Sequence, residues 1–393
     1  MKILTAVTYY SPYVSGLTIY AQRIAQAWAD EGHEVTVLTS QHSPDLPLEE
    51  TKNGVHIVRA PILFRISKGV IMPAFWGKAI RLVKDSDIIS LHLPQFDAAW
   101  LAFLAKIHHK PSVITYHCDL LMPSGFINQL SNKIMLFQNN VAGNFSTSVV
   151  AYTEDYAAYS FFLPHYKDKT KIIQPPVILP EITEEEENAF RQKTNANSYK
   201  PIIGMACRFA ADKGVQILLK ALPKIIEKFP NVCVFFAGPY KDVLGERAYY
   251  EKLKPELDQF IATGHWKFLG SLSPKEMAEF YQTIDVLAMP SLNRTDSFGL
   301  VQIESMMSGK PVVAANLPGI RVPVQRHHMG MIIPIGDSNK LAEDLITVIE
   351  QGKDYSFQKE DIKKFYNPDT VASLYTNLFN ELLSKEENNV KPI

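Results

Sequence analysis

From Asn293 to Val313 the chain reads Asn-Arg-Thr-Asp296-Ser-Phe298-Gly299-Leu300-Val-Gln-Ile-Glu304-Ser-Met-Met-Ser-Gly309-Lys-Pro-Val-Val. The pattern predicts a helix opening at about Phe298 and closing at Gly309, with a strand on either side. The first amides of a helix lack partners within it, and its dipole favours negative charge there. The backbone of Phe298, Gly299 and Leu300 is therefore a candidate anion cradle. Asp296 lies just ahead of it, and Glu304 sits about 7–9 Å further along at roughly 1.5 Å per residue. A phosphate does not choose carboxylate neighbours, but a ligand with hydroxyls at both ends and phosphates in the middle pairs with this layout. A nucleotide sugar has that form. A plain helix cap at Asp296 and a solvated Glu304 would produce the same spacing.

A second constellation is Gly204-Met-Ala-Cys-Arg208-Phe-Ala-Ala-Asp-Lys213-Gly214, where an apolar strand ends and two cations precede a helix. Arg grips a phosphate with two donors and Lys adds a point charge, so together they can neutralise a diphosphate leaving group; a surface pairing with Asp212 is the plainer reading. At the first strand-to-helix turn, Tyr9-Tyr-Ser-Pro-Tyr-Val-Ser15-Gly16 places a glycine where main-chain amides can approach a phosphate. There is no full Gly-x-Gly-x-x-Gly and no Walker loop, so a dinucleotide cofactor and ATP hydrolysis lack support. His117, at the end of the run Val113–Tyr116, is either placed to hydrogen-bond sugar hydroxyls or a satisfied histidine at a strand end; His92 is a weaker parallel. Asp85-Ser86-Asp87 has a metal-chelating form but precedes its strand, the wrong end for ligands, and is read as helix capping.

The elements that must carry these residues alternate short apolar runs with longer amphipathic ones, the sign of an α/β fold with parallel sheets. In the first half the runs are 3–7, 35–39, 55–58, 88–92, 113–116, 149–152 and 171–173; in the second, 202–206, 232–237, 266–270, 286–290, 311–315 and 331–334. Gln174-Pro-Pro-Val-Ile-Leu-Pro180 and the acidic run Glu184–Glu187 mark the linker. Two doubly wound, Rossmann-like domains are expected, residues 1–175 and 181–365, facing each other across a cleft, with 366–393 a helical segment that continues the second domain or crosses back to cap the first. A length of 393 residues agrees with two cores.

Forty Lys and Arg against 41 Asp and Glu leave a net charge of -1, so no global field recruits nucleic acid. The cysteines, Cys118, Cys207 and Cys233, are odd in number, widely spaced and set in apolar runs, as befits reduced thiols. The N-terminal apolar run is short for a signal peptide and no window approaches a spanning helix; the expectation is a cytoplasmic chain. Arg59, Arg65, Lys68, Lys78, Arg81 and Lys84 fall in a stretch without a carboxylate, interleaved with apolar residues. It is a candidate for peripheral contact with an anionic membrane at its inner face, or for a solvated helix over ordinary core.

Over nearly its whole length the sequence resembles the family-four retaining glycosyltransferases of GT-B architecture. The matching residues are the Tyr-Ser-Pro and Ser15-Gly16 loop, Gly32-His-Glu-Val-Thr-Val37, Arg208 with Lys213-Gly214, Ala237-Gly-Pro239, and Asp296 to Glu304 followed by Gly309-Lys-Pro-Val-Val313. That family has two glutamates separated by seven residues; Asp296 stands in the first position here, and Ser15 stands where a second glycine is common. The resemblance implies a transferase that moves a hexose from a nucleotide diphosphate sugar to the hydroxyl of a carbohydrate or glycolipid acceptor with an α-linkage. It further implies Glu304 on the ribose, Asp296 and the 298–300 amides on the sugar, Arg208 and Lys213 on the departing diphosphate, Gly16 near its phosphates and His117 on the transferred sugar. No protein metal site, cofactor or dedicated base is implied, since a donor phosphate oxygen takes the acceptor proton. A nucleotide-sugar epimerase or sugar phosphorylase of the same architecture, or a catalytically inactive binding protein, is the alternative.

Overall fold

The computed structural model describes residues 1–66, 69–121, 126–353 and 358–390. They form two compact units: Met1–Val177 with Phe365–Ile393, and Ile178–Lys364.

The first unit runs β1 (Lys2–Ala6), α1 (Gly16–Asp30), β2 (Glu34–Gln41), β3 (Glu49–Lys52), β4 (Val55–Pro61), β5 (Phe64–Ile66), β6 (Gly69–Ile71), α2 (Pro73–Asp85), β7 (Ile88–Leu93), α3 (Ala98–Ile107), β8 (Ser112–Tyr116), α4 (Phe126–Phe145), β9 (Ser148–Ala151), α5 (Glu154–Tyr159) and β10 (Thr170–Ile172). Its sheet has the order β10-β9-β8-β7-β1-β2-β4-β3. The seven parallel strands are the seven apolar runs of the sequence. Those with helices on both faces are buried throughout, as β7, β8 and β9 are. The eighth, β3, pairs antiparallel with β4; its Glu-Glu-Thr-Lys carries no apolar alternation because it is an edge with one side open to water. α1 begins at a capping box in which Ser15 and Thr18 exchange side-chain and backbone bonds.

The second unit opens with α6 (Glu184–Lys193), so the acidic run expected in the linker is instead a helix's first turn. Thr183 caps it, and the four glutamates complement its positive end. There follow β11 (Ile202–Ala206), α7 (Val215–Lys228), β12 (Cys233–Ala237), α8 (Arg247–Ala262), β13 (Trp266–Gly270), α9 (Pro274–Thr283), β14 (Val286–Met289), α10 (Leu300–Met307), β15 (Val312–Ala315), α11 (Arg321–His327), β16 (Gly330–Ile333), α12 (Ser338–Gln351) and α13 (Lys359–Tyr366). The sheet is parallel throughout in the order β13-β12-β11-β14-β15-β16.

α14 (Pro368–Val390) belongs to the first unit and packs on α1. Trp28 of α1 meets Tyr375 and Phe379 of α14 with ring centroids 5.6 and 5.4 Å apart. The Tyr375 hydroxyl is hydrogen-bonded to Tyr20 at 2.7 Å and to Thr115 at 2.8 Å.

Candidate active site

In an open parallel sheet, ligands gather at the carboxyl ends of the two strands between which the order reverses. In the second unit those strands are β11 and β14. The loop after β11 carries Arg208 and Lys213; the loop after β14 carries Asp296 and leads into α10. Lys213 Nζ donates to Asp296 Oδ1, and Ser291 Oγ donates to Asp296 Oδ2 at 2.6 Å. Arg208 donates to Asp212 Oδ1 at 2.8 Å, and Thr295 Oγ1 donates to the other Asp212 oxygen at 3.2 Å. Burial alone would lower the Lys213 pKa, but Asp296 and Asp212 outweigh it and leave it above its ordinary value. Lys213 is thus held as a cation.

Two glycines permit this meeting. Gly214, with φ of +73°, caps α7, and a Cβ there would lie 1.9 Å from the carbonyl oxygen of Pro290. Gly299, with φ of +75°, is the cap of α10, which therefore starts at Leu300, two residues after the expected opening at Phe298. A left-handed residue cannot continue a right-handed helix. Phe298 is buried ahead of the cap, and Gln302 Nε2 donates to its carbonyl at 2.9 Å and to that of Ile320 at 3.0 Å. Glu304, one turn into α10, accepts from the Tyr281 hydroxyl of α9 at 2.9 Å. Tyr281 and Ser291 carry no motif that marks them in the sequence.

In the first unit, the strands at the reversal are β1 and β7. Gly16 is the first residue of α1, after β1, and a Cβ on it would meet no atom within 4 Å. Packing does not require glycine there. His117 follows β8 and is buried. Its Nε2 is hydrogen-bonded to His92 Nδ1 at 2.8 Å, its Nδ1 to the Tyr152 hydroxyl, and His92 Nε2 to Thr5 Oγ1 at 3.0 Å. Both ring nitrogens of His117 are engaged within the protein, so a sugar contact would need one partner to be exchanged. Burial holds both imidazoles below their ordinary pKa, His92 at about 3.

The basic stretch divides. Arg59 is 1 % exposed and donates to Pro47 O at 2.9 Å, Ser11 O at 3.3 Å and Glu50 Oε1 at 2.5 Å, so it is a buried tie between loops and not a surface cation. Arg65 donates to the His42 carbonyl at 2.6 Å, Lys78 pairs with Glu49, and Lys68 lies outside the described residues. Asp87 accepts from the Lys2 amide at 2.7 Å and Ser86 donates to Leu82 O, so Asp85–Asp87 joins the end of α2 to the sheet. Burial pushes the Cys207 and Cys233 thiols up to about 12. No helix among the described residues is long and apolar enough to cross a membrane.

The chain is similar to known proteins over most of its length. Residues 186–365 match the model of glycosyl transferases group 1, and residues 14–179 match that of glycosyltransferase family 4. A phosphatidyl-myo-inositol mannosyltransferase from Mycolicibacterium smegmatis is 24 % identical over 355 residues, covering 89 % of this chain and 85 % of its own. Among solved structures, HepE from Anabaena in complex with UDP-glucose superposes with a TM-score of 0.75 at 20 % identity, over 98 % of this chain and all of that one. Sucrose-phosphate synthase from Thermosynechococcus elongatus gives a TM-score of 0.76 at 18 % identity, over 98 % and 99 %.

Proposed function

Because this chain belongs to the group 1 and family 4 glycosyltransferases of GT-B fold, we propose that it transfers a hexose, with retention, from a nucleotide diphosphate sugar to an acceptor hydroxyl. The observation that carries the proposal is the convergence of Arg208, Lys213 and Asp296 from two loops at the strand-order reversal of the second unit. Fixed cations aimed at a leaving diphosphate act where charge develops and need no reorganisation. Arg208 and Lys213 supply that charge, in place of a protein-bound metal. Glu304 takes the ribose hydroxyls and Asp296, with the main chain at 298–300, the sugar; Gly16 leaves room for a phosphate at the start of α1.

Both Asp296 oxygens are engaged, by Lys213 and Ser291. With both oxygens so engaged, Asp296 is not the proton acceptor in this scheme; a phosphate oxygen of the donor takes the proton, and the product is α-linked. Arg208→Ala and Lys213→Ala should each lower turnover by about 10² or more, measured on a panel of UDP-, GDP- and ADP-hexoses. Near-normal turnover in both would overturn the assignment.

The acceptor is proposed to be lipid-linked, as the name of the mycobacterial relative would have it. The first unit supports this. Helices α2, α3 and α4 pack side by side and expose Trp76, Ile80, Phe103, Ile107, Ile134 and Phe137. The same helices carry Lys78, Arg81, Lys84, Lys106 and Lys133 and the one carboxylate Asp85, with Glu49 of β3 paired to Lys78 and Arg81. Apolar side chains among cations suit an anionic bilayer.

A further inference from the structure

Arg208 is not held in this site as a free cation. Its Nη2 donates to Asp212 at 2.8 Å and its Nη1 to Glu246 Oε1 at 3.4 Å. Glu246 stands at the start of α8, after β12, and its other oxygen accepts from the Ala211 amide at 3.1 Å. The two carboxylates are anchored differently. Asp212 is tied to the loop after β14 twice, through Thr295 Oγ1 and through its own carbonyl, which accepts from the Leu292 amide at 2.8 Å. Glu246 has one main-chain amide and one long ionic contact, and is the easier of the two to release.

The local charge bears on this. Arg208 and Lys213 contribute two positive charges, and Asp212, Glu246 and Asp296 three negative ones. A diphosphate approaching this cluster meets a net charge of one negative, and its attraction to Arg208 is largely cancelled until a carboxylate withdraws.

We propose that Glu246 is a displaceable counter-ion. It holds Arg208 while no donor is bound, the diphosphate takes its place on Nη1, and its return assists departure of the nucleoside diphosphate product. This rests on the reading of Arg208 as a phosphate-binding group. Glu246 is a positioning residue in this scheme and touches no reacting atom.

Calorimetric titration with UDP, GDP and ADP tests it. For each nucleotide that binds the wild-type protein, Glu246→Gln, which keeps an acceptor for the Ala211 amide, should bind about three- to tenfold more tightly. The gain should shrink at 0.5 M salt. The KM for the corresponding sugar nucleotide should fall in parallel and that for the acceptor stay unchanged, a split that a purely structural glutamate would not produce. Glu246→Ala, read the same way, guards against a folding defect peculiar to one variant. Unchanged or weaker nucleotide binding in both variants, with melting temperatures retained, overturns the counter-ion role alone. The gain should also vanish in an Arg208→Ala background. If Arg208→Ala binds nucleotide as tightly as wild type, or if the wild type binds none of the three, the phosphate-binding reading itself is what has failed.

Discussion

The polar side chains of this protein are set mostly by what surrounds them. Asp97 occupies the cap position of α3 but has helical backbone angles and makes no capping bond. It lines an aromatic groove of about 240 Å³ with Trp76, Phe96, Trp100 and Phe103. Burial raises its pKa from 3.8 to about 6. Between those values the unfolded chain releases the proton while the folded one keeps it, so stability falls as pH rises through that window. Above it the folded protein carries a buried charge, a penalty of at most about 3 kcal/mol at 1.4 kcal/mol per pH unit. Asp97→Asn should therefore stabilise by about 1–3 kcal/mol at pH 7.5 and by little at pH 4.5. Denaturant midpoints at the two pH values would show it, and an equal effect at both would be inconsistent with a buried charge. His92 and His117 follow the same rule: neutral in a buried string between Thr5 and Tyr152, they are poor cations but well-fixed hydrogen-bonding groups.

Among the elements, the loops after β11 and β14 are tied to each other by Lys213 with Asp296 and Asp212 with Thr295, and at Gly214 their backbones come closest. Any side chain there meets the Pro290 carbonyl and must also adopt a left-handed conformation. Gly214→Ala should cost about 1–3 kcal/mol from backbone strain. It should also separate Lys213 from Asp296, so that donor KM or turnover suffers more than stability does. Parallel denaturation and kinetic measurements would compare the two, and unaltered kinetics in a destabilised variant would count against the pairing. The start of α10 obeys the same local logic, since Gly299 decides where that helix can begin.

For the molecule as a whole, the first unit is completed by chain that returns after the second has been built. Val371, Ala372, Tyr375 and Phe379 of α14 are buried against α1, so the ends of the sequence share one core. The exposed face of α2, α3 and α4 makes its own prediction. The protein should co-sediment with phosphatidylserine-containing vesicles at low salt, and Phe137→Glu combined with Trp76→Glu should abolish binding; both side chains are exposed, so the fold should survive. Absence of sedimentation with wild-type protein at low salt would remove the membrane from the proposal. Salt should weaken the interaction, because its charged component is screened within about 10 Å at 0.1 M.

The parallel strands, the Arg208 to Lys213 loop and the Asp296 to Glu304 block are legible in the sequence. Each is a local pattern: an apolar run of strand length, then the residues that must follow it at a strand's carboxyl end. What the sequence could not disclose is pairing between distant segments. The polar edge β3 is a strand only because β4 offers it partners. Arg59, a surface cation by composition, is buried because two loops and the edge strand β3 supply its acceptors. Glu246 reaches Arg208 only because β11 and β12 lie side by side and their loops emerge together. Periodicity reports which face of an element is apolar, whereas the order of strands in a sheet decides which charges meet, and that order is a property of the folded chain alone.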